Sequence, residues 1–118
     1  MTWSVAFHAA FEAEFAQLPL DVREALAAAA TLLVSHGPML GRPHVDTLAG
    51  SKHANMKELR FTADDGVWRV AFAFDPQRTG ILLVAGDKAR VAQKRFYKAL
   101  IAKADARFAE HLADLKGD

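Results

Sequence analysis

The chain has 118 residues, of which 52% are apolar, and its 15 lysines and arginines almost balance its 14 aspartates and glutamates. It contains no cysteine, which excludes a disulfide framework, a thiolate metal site and a cysteine nucleophile. A chain of this length buries enough surface to fold without such cross-links, so we predict a single domain over residues 1–118. Its longest apolar helical run, residues 25–34, is half of the ~20 residues that cross a bilayer. We therefore expect a cytoplasmic protein with no membrane segment.

The first 36 residues predict one strand followed by two helices. Apolar residues alternate over about 2–7, which indicates a strand, and phenylalanines four residues apart indicate a helix over about 8–17. A second helix ends at Gly37, and near its start Asp21 and Glu24 have the spacing of a capping box. Its apolar positions fall on one helical face: Val22, Leu26, Ala29 and Leu33. We predict that the two helices form a hairpin.

The remainder of the chain predicts a long loop, three strands and a last helix. Residues 37–55 show neither the helical nor the strand period, and loops of such length are usually functional or mobile. Strands are expected at about 56–62, 67–75 and 81–85, each next to a turn signal. The last helix, at about 90–115, carries one apolar stripe formed by Tyr97, Ile101, Ala104, Phe108, Leu112 and Leu115. The order β-α-α-β-β-β-α predicts an α+β domain.

Strand alternation predicts where the basic side chains of the first hairpin point. Arg69 on the second strand alternates with large apolar residues, and Glu58 and Arg60 do the same on the first strand. A turn that closes at Thr62 and Val67 sets Arg60 opposite Arg69, and a two-residue Asp65-Gly66 turn makes them diagonal neighbours. In both cases they share a face that points away from the main core. If the next hairpin closes between residues 75 and 80, Gly86 lies opposite Arg69 and Lys88 emerges just beyond the sheet.

This face of the sheet predicts a shallow, open groove that binds phosphate. Like charges that face each other across a sheet are unfavourable, so Arg60 and Arg69 require an anion or the carboxylate of Glu58. The alternative is that Glu58 pairs with Arg60 while Arg69 is merely solvated. The floor is expected to consist of small residues, namely Ala71, Ala73 and Gly86. On this interpretation Arg69→Ala removes activity at little cost in stability.

Four segments of the sequence resemble the RelE/HigB superfamily of toxins from type II toxin–antitoxin modules, especially its phage-derived HigB-like branch. They are GSKHANMKELRF (50–61), VWRVAFAFD (67–75), ILLVAGDK (81–88) and KRFYKALIAKAD (94–105). The resemblance implies a RelE-like compact antiparallel sheet with the helices packed against it, and ribosome-dependent cleavage of translated mRNA. It also implies two kinds of partner: the 70S ribosome with its mRNA, and a cognate antitoxin, a HigA-like helix-turn-helix protein.

The same resemblance implies roles for individual residues. It gives Arg69 a phosphate-binding role and gives Arg60 and Lys88 supporting basic roles. Lys57 matches a position that is basic in some members of the superfamily. Tyr97 lies on the apolar stripe of the last helix, so we carry no catalytic tyrosine onto it.

Metal-independent cleavage of RNA requires a proton acceptor for the 2′-hydroxyl, cations for the phosphorane and a donor for the departing 5′-oxygen. The guanidinium groups of Arg69 and Arg60 suit the phosphate. Lys57, Lys88 and His53 are the candidates for proton transfer, although alternation places Lys57 on the core-facing side. Contacts to RNA without chemistry are assigned to Lys52, Arg90, Lys94, Arg95 and Lys98.

Other chemistries have less support in the sequence. It contains no HExxH, P-loop or GxGxxG motif, and its five histidines lack ligand spacing, so we expect neither a metal nor a cofactor. The competing functions on the same fold are non-catalytic: a ParE-like inhibitor of DNA gyrase, or a module that only binds nucleic acid.

Overall fold

A five-stranded sheet with helices on both faces forms the fold of the computed structural model, which describes residues 2–117. In chain order the elements are β1 (Ser4–Phe7), α1 (Ala9–Phe15), α2 (Leu20–His36), β2 (Val45–Thr47), β3 (Lys57–Ala63), β4 (Gly66–Phe74), β5 (Thr79–Asp87) and α3 (Gln93–Lys116). The strand order is β1-β5-β4-β3-β2, and only the β1–β5 pair is parallel. The predicted α+β class is confirmed. Over residues 2–117 no helix is long and apolar enough to cross a membrane.

The apolar face predicted for α2 is confirmed, but the helix begins at a different residue. All four apolar positions predicted for α2 are buried against the sheet. The capping box is wrong, since α2 begins at Leu20 with Pro19 as its N-cap and no side chain caps it. Asp21 instead lies inside the first turn, where its charge favours the positive end of the helix dipole.

The loop predicted over 37–55 contains regular structure that the sequence did not indicate. A single 3-10 turn covers Gly37–Met39, and β2 forms an outer strand beside β3. Within β2, Val45 lies opposite Leu59 and is buried in the core beneath α2. A strand of three residues is too short to show a period, which explains why it was missed.

The two faces of the sheet carry two separate cores, so the open face predicted from the sequence is wrong. On one face α2 covers Leu59, Val70 and Phe72, and on the other α3 covers Ala71 and Ala73, both fully buried. The small residues therefore admit a helix rather than form the floor of an open groove. The stripe predicted for α3 is confirmed at Ala104 and Phe108, which are buried. Nearer the start of the helix it is displaced by one residue, since Phe96 and Leu100 are buried while Tyr97 and Ile101 are only partly so.

Gly86 shows how closely α3 approaches the sheet. A Cβ atom built on Gly86 would lie 2.8 Å from Cε1 of Phe96, a distance that real Cβ atoms do not show. The ring of Phe96 therefore occupies the space that the missing side chain leaves.

The registers of both hairpins agree with the prediction. Arg60 lies opposite Arg69, and Gly86 lies opposite Arg69 from the other side. The first hairpin closes through Asp64 and Asp65, whose φ angles of 51° and 60° are those of a two-residue turn with left-handed residues. The even length of this turn keeps Arg60 and Arg69 on the same face.

Asp75 ties the β4–β5 turn to the C-terminal half of α3. Its carboxylate accepts hydrogen bonds from the amides of Gln77 (2.8 Å) and Thr79 (3.0 Å) and pairs with Nε2 of His111 at 2.8 Å. Burial raises the pKa of Asp75, but the bonds from His111, Thr79 and Gln77 together outweigh burial and hold this pKa below its usual 3.8.

Asp75→Asn is expected to flatten the acid dependence of stability. Because the folded pKa is lower than the unfolded one, the carboxylate's contribution is complete above about pH 5 and is lost as the pH falls through the folded value. Urea unfolding at pH 7, 4 and 3 measures this slope, with the exposed Asp114→Asn as control. Equal slopes for the two variants would contradict the assignment.

Candidate active site

A basic groove of about 840 Å³ lies between the N-terminal half of α3 and strands β2 and β3. Its charged and hydroxyl-bearing side chains include Glu58, Arg60, Lys88, Lys94, Tyr97 and Lys98. Four of these six are basic and one is a carboxylate, so the groove favours an anionic ligand. Arg60 and Lys88 lie on one face of the sheet, as predicted from the sequence. The cavity, however, has α3 as one wall and is not an open groove on the sheet.

Arg69 does not line this groove but forms a buried ion pair with Glu58, which does. Its Nε atom is 3.5 Å from Oε1 of Glu58, and only 7% and 8% of the two side chains are exposed. A second nitrogen, Nη1, donates to the carbonyl oxygen of Trp68 at 2.9 Å. A guanidinium buried by α3 requires a counter-ion, and Glu58 supplies it. The alternative in which Glu58 pairs with Arg60 and Arg69 is solvated is therefore wrong.

Tyr97 lines the groove, although the sequence interpretation gave it no role there. Its hydroxyl donates to Oε1 of Glu58 at 2.8 Å, from the edge of the helix stripe into the groove. Burial, followed by the hydrogen bond to Glu58, raises the pKa of Tyr97 above its usual 10.0. The hydroxyl therefore stays protonated at neutral pH and is available as a donor.

The ammonium group of Lys88 and the guanidinium group of Arg60 face the groove. Neither forms a salt bridge with a carboxylate within residues 2–117. Lys88 follows the end of β5, as predicted, and its Nζ lies 5.8 Å from the centre of the Tyr97 ring. Desolvation and the charges of Arg69 and Arg60 lower the pKa of Lys88 below 10.5, against an opposing effect of Glu58. Within residues 2–117 the side chain of Arg60 forms no ion pair, which leaves its guanidinium group available to a ligand.

Two predicted candidates for proton transfer lie outside the groove. Lys57 lies on the other face of the sheet, where its Nζ donates to the carbonyl oxygen of Pro38 at 3.3 Å. His53 packs edge-on against Phe108, with ring centres 5.0 Å apart. Phe108 is eleven residues beyond Tyr97 on α3, which corresponds to about 16 Å along a helix.

The residues predicted to contact RNA are spread over several surfaces. Lys94 and Lys98 line the groove, whereas Arg95 lines a separate, mostly apolar concavity on the opposite side of α3. Arg90 is exposed in the turn before α3. The backbone of Lys52 is held by the carboxylate of Asp105, but its side chain is remote from the groove lining. Over residues 2–117 there is no group of three His, Asp or Glu side chains that could hold a metal ion.

Comparison with known protein families identifies the family of this chain. Residues 13–109 match the family described as "Phage derived protein Gp49-like (DUF891)". The chain belongs to this family.

Two curated relatives of this chain carry the name HigB. Both come from Mycobacterium tuberculosis and are named Putative toxin HigB2 and Putative toxin HigB3. HigB2 is 45% identical over 100 residues, which cover 84% of this chain and 49% of HigB2. HigB3 is 45% identical over 103 residues, which cover 87% of this chain and 88% of HigB3. The chain thus spans about half of one relative and most of the other, and its resemblance to HigB-type toxins is confirmed.

The fold of this Gp49-like protein is that of a RelE toxin. A solved structure of an E. coli toxin RelE double-arginine mutant in the free state superimposes with a TM-score of 0.59 and covers 87% of this chain and 97% of RelE. At 13% identity this similarity concerns the fold alone. The predicted RelE-like architecture is confirmed.

Proposed function

We propose that this protein is a toxin of a toxin–antitoxin module that cleaves translated mRNA on the ribosome in the cytoplasm. The groove carries the proposal, because it sets Arg60 and Lys88, which form no salt bridge within residues 2–117, beside the Glu58 carboxylate and the partly buried Tyr97. A single-stranded RNA supplies both the phosphate for the cations and the 2′-hydroxyl that attacks it. Membership of the Gp49-like family and the names of the HigB relatives support the same interpretation.

In this mechanism the 2′-oxygen attacks the adjacent phosphorus and the bond to the 5′-oxygen breaks. The uncharged form of Lys88 accepts the 2′-hydroxyl proton, for which its lowered pKa suits it. Arg60 binds the phosphate oxygens and stabilises the negative charge of the phosphorane. The Tyr97 hydroxyl donates to the departing 5′-oxygen and regains a proton from the ammonium group of Lys88. The products are a 2′,3′-cyclic phosphate and a 5′-hydroxyl end.

Arg69 holds the reacting groups in place in this proposal. Its guanidinium pairs with the carboxylate of Glu58 under α3, and Glu58 in turn orients the Tyr97 hydroxyl by accepting its hydrogen bond. His53 and Lys57 have no part in the chemistry, because neither side chain lines the groove.

Mapping of mRNA 5′ ends after induced expression tests the proposed function. New 5′-hydroxyl ends within translated frames are expected, and the purified protein should produce them in a translation extract but not on the same mRNA without ribosomes. DNA breakage with intact mRNA would instead support a gyrase inhibitor on this fold and overturn the proposal.

Lys94 and Lys98 are expected to hold RNA phosphates without taking part in the chemistry. Replacing both with alanine should weaken binding to all single-stranded RNAs and reduce the slope of log affinity against log salt by roughly 0.7 for each lost contact. Filter binding between low and moderate salt measures this slope. Arg95→Ala is the matched control, since Arg95 lies on the opposite side of α3. An unchanged slope in the double variant would show that the two lysines are solvated only.

A cognate antitoxin is expected to neutralise the toxin. We propose a small helix-turn-helix protein of HigA type with an acidic or apolar surface, since the groove is basic. Co-expression with the product of the adjacent small gene should restore growth and give a complex that survives gel filtration. If no neighbouring product binds, this part of the proposal is wrong.

A further inference from the structure

A second concavity continues from the groove along the β3–β4 hairpin, beyond the N-terminal end of α3. Its volume is about 400 Å³, and its lining includes Pro43, His44, Arg60, Thr62 and Val67. Thr62 and Val67 face each other two positions after the Arg60–Arg69 pair, and therefore on the same face of the sheet. Arg60 lines both cavities and so stands at the boundary between them.

His44 is fixed directly beside Arg60 by the backbone. Its carbonyl oxygen accepts a hydrogen bond from the amide of Arg60 at 2.8 Å, and its own amide donates to the carbonyl oxygen of Gly41 at 3.1 Å. Its side chain is nevertheless exposed. Over residues 2–117 neither the imidazole of His44 nor the hydroxyl of Thr62 has a hydrogen-bond partner. Both groups are therefore free to contact a ligand in this cavity.

The chemistry of the lining fits a nucleobase. Pro43 and Val67 provide apolar surface for a flat ring, while His44 and Thr62 provide hydrogen-bonding groups of the kind that read base edges. A phosphate on Arg60 carries one nucleoside on each side. If the nucleoside on one side of this phosphate lies in the groove, the nucleoside on its other side is directed toward the second concavity.

We propose that this second concavity is a nucleobase subsite in which His44 and Thr62 determine which base is accepted next to the cleaved phosphate. The inference rests on the proposed function for its substrate, but it assigns residues that the cleavage mechanism does not use.

Mapping of cleavage sites for the wild type, His44→Ala and Thr62→Val tests the subsite. The variants should still cleave mRNA and keep their melting temperature, while the base preference at one position beside the cut falls about tenfold. His36→Ala is the matched control, because it removes an exposed histidine from the end of α2, on the other side of the sheet. A preference equal to that of the wild type overturns the proposal, as does complete loss of cleavage at an unchanged melting temperature.

Binding of short RNAs with 2′-deoxy substitutions separates this inference from the proposed function, since such RNAs cannot be cleaved. A panel that varies one base at a time should show a preference in the wild type and in His36→Ala, and none in His44→Ala. Cleaved mRNA with unchanged preferences in the His44 variant refutes the subsite alone. Absence of mRNA cleavage refutes the proposed function, but the binding panel still tests the subsite. If the wild type binds RNAs with every base equally well, the subsite is refuted.

Discussion

Arg69→Ala is expected to destabilise the fold by about 3 to 5 kcal/mol and also to stop cleavage. The reason is that Glu58 would remain buried beneath α3 without its counter-ion. This differs from the expectation for a residue on an open face, where truncation changes stability by no more than about 0.5 kcal/mol. The measurements are urea unfolding and thermal unfolding at pH 7, together with growth arrest on induction. A melting temperature within about 2 °C of the wild type would contradict the buried pair.

A double variant separates the two effects of this substitution. Combining Arg69→Met with Glu58→Gln removes both charges and leaves no buried carboxylate unpaired. It should recover at least half of the stability lost in Arg69→Ala while remaining inactive. If the double variant recovers no stability, the ion pair is not the cause of the loss.

Arg60→Ala is expected to reduce cleavage by about 10²-fold or more while the fold keeps its stability. Arg60 is only partly buried and forms no ion pair within residues 2–117, so truncation leaves no buried charge behind. Loss of a cation that is already directed at the phosphate costs about as much as loss of one oxyanion donor. Arg60 therefore provides the direct test of the active site that Arg69 cannot provide, because its effect on activity is not mixed with unfolding.

The rate of mRNA cleavage and the melting temperature are measured together for Arg60→Ala. The matched control is Arg42→Ala, which removes an arginine whose guanidinium pairs with Asp46 at the surface, outside the groove. Equal activity of the two variants would exclude Arg60 from phosphate binding.

Strand register could be predicted from this sequence because parity determines it. A slip of one residue would turn Leu59 and Val70 to the wrong face, so Arg60 and Arg69 had to share one face. The position of the turn then decides whether they lie directly opposite each other, as they do, or diagonally. Parity states which face a side chain occupies, but it does not state what covers that face. The burial of Arg69 depends on where α3 lies, and the alternation of the strand carries no information about that position.

The position of Tyr97 in the groove was not predicted because two neighbouring stripes of α3 satisfy the helical period equally well. Phe96 and Leu100 form one such series, and Tyr97 and Ile101 form the next. The structure buries the first series fully and the second only in part, which leaves the Tyr97 hydroxyl free to reach Glu58. A signal was present in the sequence, since a tyrosine needs a hydrogen-bond partner when buried and Glu58 was already assigned to that face.

The close contact between Gly86 and Phe96 has a consequence for the chemistry on the far side of the helix. Phe96 rests on the glycine, while the next residue, Tyr97, presents its hydroxyl to Glu58. One turn of α3 thus joins a packing contact to the proposed proton donor. A methyl group at position 86 requires the Phe96 ring or this turn of α3 to move. Gly86→Ala is therefore a way to alter the proposed site without replacing any side chain that faces RNA in the proposal.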